Sequence, residues 1–464
     1  MTNPISRRQF LRSASAASAL GCVASYCVAE TPLRAASFQA KSDRPLVAVI
    51  GAGGRGMYDA KQAARFGDVV AVCDADLKRA EQARAALGGK AAVFQDYRKL
   101  LDSRPDVDVV INGTPDHWHT AVNIAACRAG KDVYTEKPLT LTIEEGKILR
   151  RVVRETGRIV QVGTQQRSAA HFRTACELVR NGRVGKLRQV AVLLPFYSYK
   201  GGPFATQPVP ANMDWDLFQG QAPERPYCRE RTHFSFRFWF DYAGGKITDW
   251  GQHHLDIAHW GLGLEASGPL QVEAKGFYPN RGKPDCYNNA DRFTVRMKYP
   301  GDIDVYFLVV RDAKYLKSMA DGDMTAAEDA ELFADMPEEW RQEQRDGIMF
   351  IGDKGRLFAN RGKAYGKAVE ELPQNPLPAD AVRLYESTDH MGNFFECVAS
   401  RKQPISTVDV AHRVITACHL GNVSMHLKRA IRWDPEQEEV VGDAEASQSI
   451  YVRREQRKPY TIEA

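Results

Sequence analysis

The chain has 464 residues, 44% hydrophobic and 26% charged, the make-up of a globular protein of one large or two moderate domains. Its net charge is +5, and residues 1–36 supply +3 of that through Arg7, Arg8, Arg12 and Arg34 against Glu30. The near-neutral body gives no electrostatic reason to expect nucleic acid or an anionic membrane as a partner.

Residues 1–36 read as a targeting segment. Ser6-Arg7-Arg8-Gln9-Phe10-Leu11-Arg12 has the form of a twin-arginine signal, and a mild Ala/Ser-rich apolar run follows from Ser13 to Ala29. That run is too short and too weakly apolar for a stable membrane span. The expected location is the periplasm or another exported compartment. Beyond Cys22 and Cys27 the chain holds seven scattered cysteines, with no disulfide framework and no Cys-x-x-Cys metal spacing.

The next segment, residues 45–165, alternates strand and helix. Pro45–Ile50 is a short apolar run of the kind found in buried parallel strands. Gly51-Ala52-Gly53-Gly54-Arg55-Gly56 follows at once, then a helix from Met57 to Phe66. This is G-x-G-x-x-G between strand and helix, where Gly51, Gly53, Gly54, Arg55 and Gly56 would let a pyrophosphate approach the helix N-terminus. The second strand, Asp68–Cys73, leads into Asp74, 18 residues after Gly56. A carboxylate there accepts ribose hydroxyls and repels a 2′-phosphate, so NAD is expected over NADP. Lys78 and Arg79 nearby keep NADP in view. Strands are also expected at Ala91–Phe94, Val107–Ile111, Lys131–Thr135 and Arg158–Val162, with helices at Asp76–Leu87, Thr120–Ala129 and Thr142–Thr156. Two polar clusters then fall at carboxyl ends of strands, the ligand edge of such sheets. They are Asn112-Gly113-Thr114-Pro115-Asp116-His117-Trp118-His119 and Glu136-Lys137-Pro138.

Past Gln165 the pattern changes. Residues 166–433 are expected to form a second α/β domain on a large, mostly antiparallel open sheet, and 434–464 a C-terminal tail. Its helix Ala169–Asn181 and strand Lys186–Leu194 precede a long loop over 201–226, rich in Pro, Gly and aromatics. Further strands are expected at Leu270–Phe277, Asp291–Tyr299, Ile303–Val310, Gly347–Ile351 and Arg356–Ala359, the last two joined by a Gly352–Gly355 hairpin. Residues 313–346 read as a charged helical insertion, and Asp389–Lys428 as helical. Between the loop and the strands, Asp249–Trp260 holds three histidines, two aspartates and two tryptophans. On a helix, Asp249, His253, Asp256 and Trp260 share one stripe. A carboxylate one turn before an imidazole can hold its ring and tautomer, so Asp249 and His253 suit a proton-transfer pair. A buried polar helix is the other reading.

These motifs, in this order, resemble the glucose–fructose oxidoreductase / inositol dehydrogenase / rhizopine-catabolism (Gfo/Idh/MocA) family from about Pro45 to Trp433. The carriers are Gly51–Gly56 with Asp74, Thr114-Pro115 with His119, Glu136-Lys137-Pro138, and Asp249-x-x-x-His253 after Gly244-Gly245. The resemblance implies a Rossmann doubly wound parallel sheet followed by the open-sheet domain. It also implies a nicotinamide cofactor, a carbohydrate or polyol substrate, and a homo-oligomer. It matches Lys137 to the family's catalytic lysine and Asp249 and His253 to its Asp-x-x-x-His pair, and it suggests a cis bond at Lys137–Pro138. On this basis Lys137, Asp249 and His253 are the catalytic candidates, with His253 as base. Asn112, Thr114, Pro115, His119, Glu136 and Lys137 join the cofactor set. Trp118, Gln166, Arg167, Asp214, Asp249, His253 and His254 are candidates for substrate contact. His254 is open between base, substrate ligand and partner of Asp256. The Asp249–His259 cluster has metal-ligating residue types, but neighbouring helical positions point about 100° apart, and no metal is expected.

The leading expectation is an exported oxidoreductase moving hydride between tightly held nicotinamide and a secondary alcohol. Two alternatives stand beside it. One is a redox-neutral glycoside-cleaving enzyme working through a keto-sugar. The other is a non-catalytic sugar-binding protein.

Overall fold

The computed structural model describes residues 44–195, 200–310 and 346–462. The expected signal over 1–36 and nearly all of the insertion expected over 313–346 lie outside these residues.

The first part is a six-stranded parallel sheet in the order β3-β2-β1-β4-β5-β6. Its strands are β1 (Leu46–Ile50), β2 (Asp68–Cys73), β3 (Ala92–Phe94), β4 (Val109–Asn112), β5 (Asp132–Thr135) and β6 (Val160–Val162). Val47, Ala48 and Val49 are fully buried, because helices cover both faces of the sheet. Those helices are α1 (Gly54–Ala63), α2 (Leu77–Ala86), α3 (Tyr97–Ser103), α4 (Asp116–Arg128) and α5 (Ile143–Thr156).

Two helices begin earlier than expected. The α1 helix takes in Gly54, Arg55 and Gly56 of the glycine turn. The α4 helix starts at Asp116, with Pro115 as its cap at φ −61°. Proline pre-sets that entry and an aspartate suits the first turn, so His117, Trp118 and His119 are helical and not in a loop.

The second part is a nine-stranded sheet in the order β13-β12-β11-β7-β10-β9-β8-β14-β15. Here β7 is Leu187–Pro195, β8 Gln271–Phe277, β9 Arg292–Tyr299, β10 Ile303–Val310, β11 Gly347–Gly352 and β12 Gly355–Ala359. Three short strands, β13 (Ala364–Tyr365), β14 (Ile431–Asp434) and β15 (Glu439–Val440), are too brief to show alternation in the sequence. The β7–β10 pair is parallel and the other pairs are antiparallel. Helices α6 (Ala170–Arg180), α8 (Lys246–Leu262) and α11 (Val408–Leu427) pack together against the sheet. The loop over 201–226 contains one short helix, α7 (Trp215–Gln219).

The helical block expected over Asp389–Lys428 is two helices, α10 (His390–Ser400) and α11. Arg401, at φ +60°, ends the first, and Pro404 follows. A single turn, α9 (Lys367–Glu370), lies before them. The α10 helix packs on the Rossmann sheet: Met391, Phe394 and Phe395 share a core with Val47, Val49 and Ile111. The chain beyond β15, which includes a short α12 (Ala444–Ser447), also returns to the first sheet's helices. Tyr451 and Val452 accept backbone hydrogen bonds from Ile143 and Glu144, and Tyr460 packs edge-on to Trp118.

Candidate active site

A cavity of about 700 Å³ runs from the carboxyl ends of β1, β2, β4 and β5 to the first turns of α8. At one end lies the glycine turn. Gly51 has φ +82°, and a Cβ there would strike the Thr114 amide; one at Gly56 would strike the Gly51 carbonyl oxygen. These two positions therefore hold the turn tight against the exit from β4. The α1 N-terminus has no side-chain cap and no acidic residue in its first turn, the form of a phosphate cradle. Beside it, Asp74 accepts hydrogen bonds from Ala52 N (3.0 Å) and Asp76 N (2.9 Å). Burial pushes its pKa up to about 6, with Arg79 opposing. Gly53, Gly54, Arg55, Thr114 and Pro115 line the same end. This donor and acceptor set fits a dinucleotide.

Two residues of the expected cofactor set sit behind the cavity wall. Asn112 is fully buried and bonds Thr114 Oγ1 (2.7 Å), Asn123 (2.8 Å) and the His119 carbonyl (3.1 Å). The His119 ring spans the carbonyls of Pro138 (2.5 Å) and Thr114 (2.8 Å). It ties together the two loops that do face the cavity.

Glu136 lines the middle of the cavity and receives Arg55 Nε (3.0 Å) and Gln165 Nε2 (2.7 Å). Asp59 is buried against it. Burial raises the Asp59 pKa well above the usual range, while Arg55 and Lys137 hold Glu136 below it. The stable arrangement is one proton on Asp59, shared with an ionised Glu136.

The Lys137–Pro138 bond is cis, as the resemblance suggested. Lys137 Nζ donates to Asp249 Oδ1 (2.5 Å) and to the Asp249 carbonyl (3.0 Å), and each side chain is 14% exposed. Arg237 Nε lies 4.0 Å from the other carboxylate oxygen. The expected Asp249–His253 hydrogen bond is not made among the described residues, because Lys137 occupies the carboxylate. His253 lines the cavity one turn along, and its Nδ1 makes no hydrogen bond there. Burial and the charges of Lys137 and Arg361 press its pKa well below 6.5, so it is neutral.

Gln166 also lines the cavity. With its amide oriented so that the nitrogen donates to the His253 carbonyl (2.7 Å), the oxygen accepts from His254 Nδ1 (3.2 Å) and Arg361 Nε (3.3 Å). His254 does not reach the cavity; it is fully buried, with Nε2 3.5 Å from Asp346. Nor does Arg167, whose guanidinium makes a two-pronged contact with Asp256 (2.6 and 2.9 Å) and reaches Glu265 (2.8 Å). Asp214 caps α7 through Leu217 N (2.9 Å). Trp118 lines the nucleotide end near Tyr97 and donates to the carbonyls of Leu217 and Phe218, both at 3.1 Å. Among the described residues no group of three or more His, Cys, Asp or Glu is placed to hold a metal ion.

Sequence reading missed Asp116, Arg237, Trp250 and Arg361, which line the cavity near Lys137 and His253. Burial and the Asp249 charge push the Asp116 pKa up to about 7, against Arg237 and Lys137. Asp116 and Trp250 adjoin the recognised motifs, and their helical register carried the signal. Arg237 and Arg361 come from a 3-10 turn and from the β12–β13 connection, where no periodicity marks a site.

Known proteins agree with this architecture. The family model for the NAD-binding Rossmann fold of the Gfo/Idh/MocA oxidoreductases matches residues 46–164, and that for the C-terminal alpha/beta domain matches 196–300 and 345–462. The scyllo-inositol 2-dehydrogenase (NAD(+)) of Bacillus subtilis is 28% identical over 364 residues, 78% of this chain and 88% of the relative. The myo-inositol 2-dehydrogenase structure from Lactobacillus plantarum superposes with a TM-score of 0.56 at 18% identity, over 84% of this chain and 99% of that one. The aldose-aldose oxidoreductase structure from Caulobacter crescentus gives 0.57 at 17% identity, over the same shares. Two models of one family, matched in order over most of the chain, lead to a single assignment: this protein belongs to the Gfo/Idh/MocA family of NAD-dependent sugar and polyol oxidoreductases.

Proposed function

We propose that the protein is an exported oxidoreductase that moves hydride between a tightly held NAD and a secondary alcohol of a carbohydrate or polyol. The observation that carries this reading is the Lys137–Asp249 contact at 2.5 Å beside a neutral His253 on one cavity wall. When bound, the nicotinamide accepts the hydride from the carbinol carbon. The chain's own residues manage the proton. His253, held neutral by burial and its cationic neighbours, accepts it from the hydroxyl. Lys137 donates a hydrogen bond to the same oxygen and stabilises charge that develops there. Asp249 fixes Lys137 and so acts as a positioning residue. Asp74 favours NAD over NADP, because its carboxylate would repel a 2′-phosphate.

The test is to purify the protein with whatever nucleotide it retains, identify that nucleotide by mass, and follow nicotinamide absorbance with inositols and hexoses. Lys137-dependent reduction of NAD supports the proposal. Aglycone release from aryl glycosides without net reduction would replace it with redox-neutral cleavage. Sugar binding that survives Lys137→Ala, without turnover in either form, would replace it with a binding protein. Export is supported by Arg7-Arg8 in their sequence setting and predicts loss of secretion when both become lysine. A homo-oligomer is expected by light scattering.

A further inference from the structure

Five cations line the cavity, and four have a carboxylate within ion-pair reach. Arg55 lies 3.1 Å from Asp59, Lys137 2.5 Å from Asp249, Arg79 4.0 Å from Asp76, and Arg237 4.0 Å from Asp249. Arg361 makes no ion pair among the described residues. It is nevertheless held in place. Its guanidinium stacks on the Trp250 ring at 4.4 Å, and its Nε meets the Gln166 amide oxygen at 3.3 Å. Both partners adjoin His253: the Trp250 ring lies 6.4 Å from its imidazole, and the Gln166 amide nitrogen donates to its carbonyl at 2.7 Å. Stacking and a bond at Nε immobilise the plane of the fork and leave its two terminal nitrogens for a ligand. Burial lowers the Arg361 pKa, helped by Arg55 and opposed by Asp346, Asp249 and Glu136, none of which comes within ion-pair distance of the guanidinium.

We infer that the substrate is an anionic carbohydrate whose carboxylate or phosphate is bound by Arg361 on its Trp250 platform, next to His253. This rests on the reading of the cavity as a sugar-oxidising site. A planar fork gives a carboxylate or phosphate two parallel hydrogen bonds, which a neutral sugar hydroxyl cannot accept together. It would also set which carbinol faces His253, because one end of the sugar is pinned.

The experiment uses the full protein with its retained cofactor. Binding of three hexuronates (glucuronate, galacturonate, mannuronate), of their hexose 6-phosphates and of the parent hexoses is read by tryptophan fluorescence, and turnover by nicotinamide absorbance. At least one anionic arm is expected to bind about 10–100-fold more tightly than its neutral parent, the worth of a charge-assisted contact. Which arm responds separates carboxylate from phosphate. The preference should shrink with added salt and collapse in Arg361→Gln. Equal binding of anionic and neutral sugars overturns the inference, as does a preference that survives Arg361→Gln. Should that variant fail to fold, wild-type binding of each uronate against its uncharged uronamide decides, and equality again overturns it. Neutral sugars oxidised with no anionic preference would sink this inference alone. Tight anionic binding with no hydride transfer from any sugar would sink the proposed reaction and leave the binding site standing.

Discussion

Lys137 Nζ and Asp249 Oδ1 lie 2.5 Å apart, although 112 residues separate them in the chain. One lies two residues past the end of β5, and the other stands in the first turn of α8. Their contact joins the Rossmann sheet to the second domain on the cavity wall that includes His253. Gln252 reinforces the join from the next turn, accepting from Leu139 N at 2.9 Å. If Asp249 works by holding Lys137, the two residues act as a unit. Lys137→Met and Asp249→Asn should each lower kcat by about 10²–10⁴, and the double variant little more than either alone. Steady-state kinetics on protein of checked cofactor content measures this. Losses that simply multiply would show two independent roles.

His253 should govern the acid side of the pH profile. Its pKa is pressed well below 6.5 by burial first, and then by Lys137 and Arg361. A base with a depressed pKa stays unprotonated as pH falls, so the acid limb of kcat/KM should lie below pH 6.5. Removing a positive neighbour should move that limb upward, and Arg361→Gln is the variant to use. His253→Ala should abolish the limb and lower kcat by about 10²–10⁴. A limb at or above the ordinary histidine value would assign the proton transfer to another group.

The Rossmann half was legible because its signals are local. Each buried strand is a continuous apolar run, and the glycine turn and Asp74 follow their strands directly. Glu136-Lys137-Pro138 was legible for the same reason, as the end of β5. In α8 the stripe was read correctly as a helix face, but the partners were not. Asp249 turns to Lys137, Asp256 to Arg167 and His259 to Tyr299, each from a distant segment. Spacing along a helix tells which side chains can meet on that helix. It does not tell whether a better partner arrives from elsewhere, and a lysine ammonium outbids a neutral imidazole for a carboxylate. Arg361 was invisible for a related reason, since a short connection between two strands shows no pattern. The return of α10 and Tyr451 to the first sheet's helices is likewise a matter of tertiary packing.

Cofactor choice can be tested at Asp74. Its oxygens already hold the Ala52 and Asp76 amides, which fixes the carboxylate at the cavity wall. Asp74→Ala should weaken NAD binding and narrow the gap to NADP, because the carboxylate that repels a 2′-phosphate is removed while Arg79 stays at that end to attract one. The raised pKa of about 6 adds a pH signature. Above it the carboxylate is ionised and accepts ribose hydroxyls; as pH falls through it, the group protonates and loses part of that capacity. NAD affinity by fluorescence titration should therefore decline on acidifying through this range, and the Asp74→Ala protein should show no such decline. Equal decline in both would place the titrating group elsewhere.

Arg167 and Asp256 offer a stability test within α8. Their side chains are 2% and 1% exposed and meet at 2.6 and 2.9 Å. Removing one partner of such a pair leaves a buried, uncompensated charge, at a cost of about 3–5 kcal/mol. Arg167→Met should therefore lower the urea midpoint sharply, while Arg167→Met with Asp256→Leu should recover much of the loss. The sign of the pH effect follows from Asp256, whose folded-state pKa is already raised by burial despite Arg167. Without the arginine it rises further. A raised carboxyl favours the folded state at low pH and opposes it as pH climbs through the folded pKa. The gap between Arg167→Met and wild type should thus widen as pH rises above the ordinary carboxyl range. A gap that stays constant, or a double variant as weak as the single, would show that the pair contributes packing and not charge.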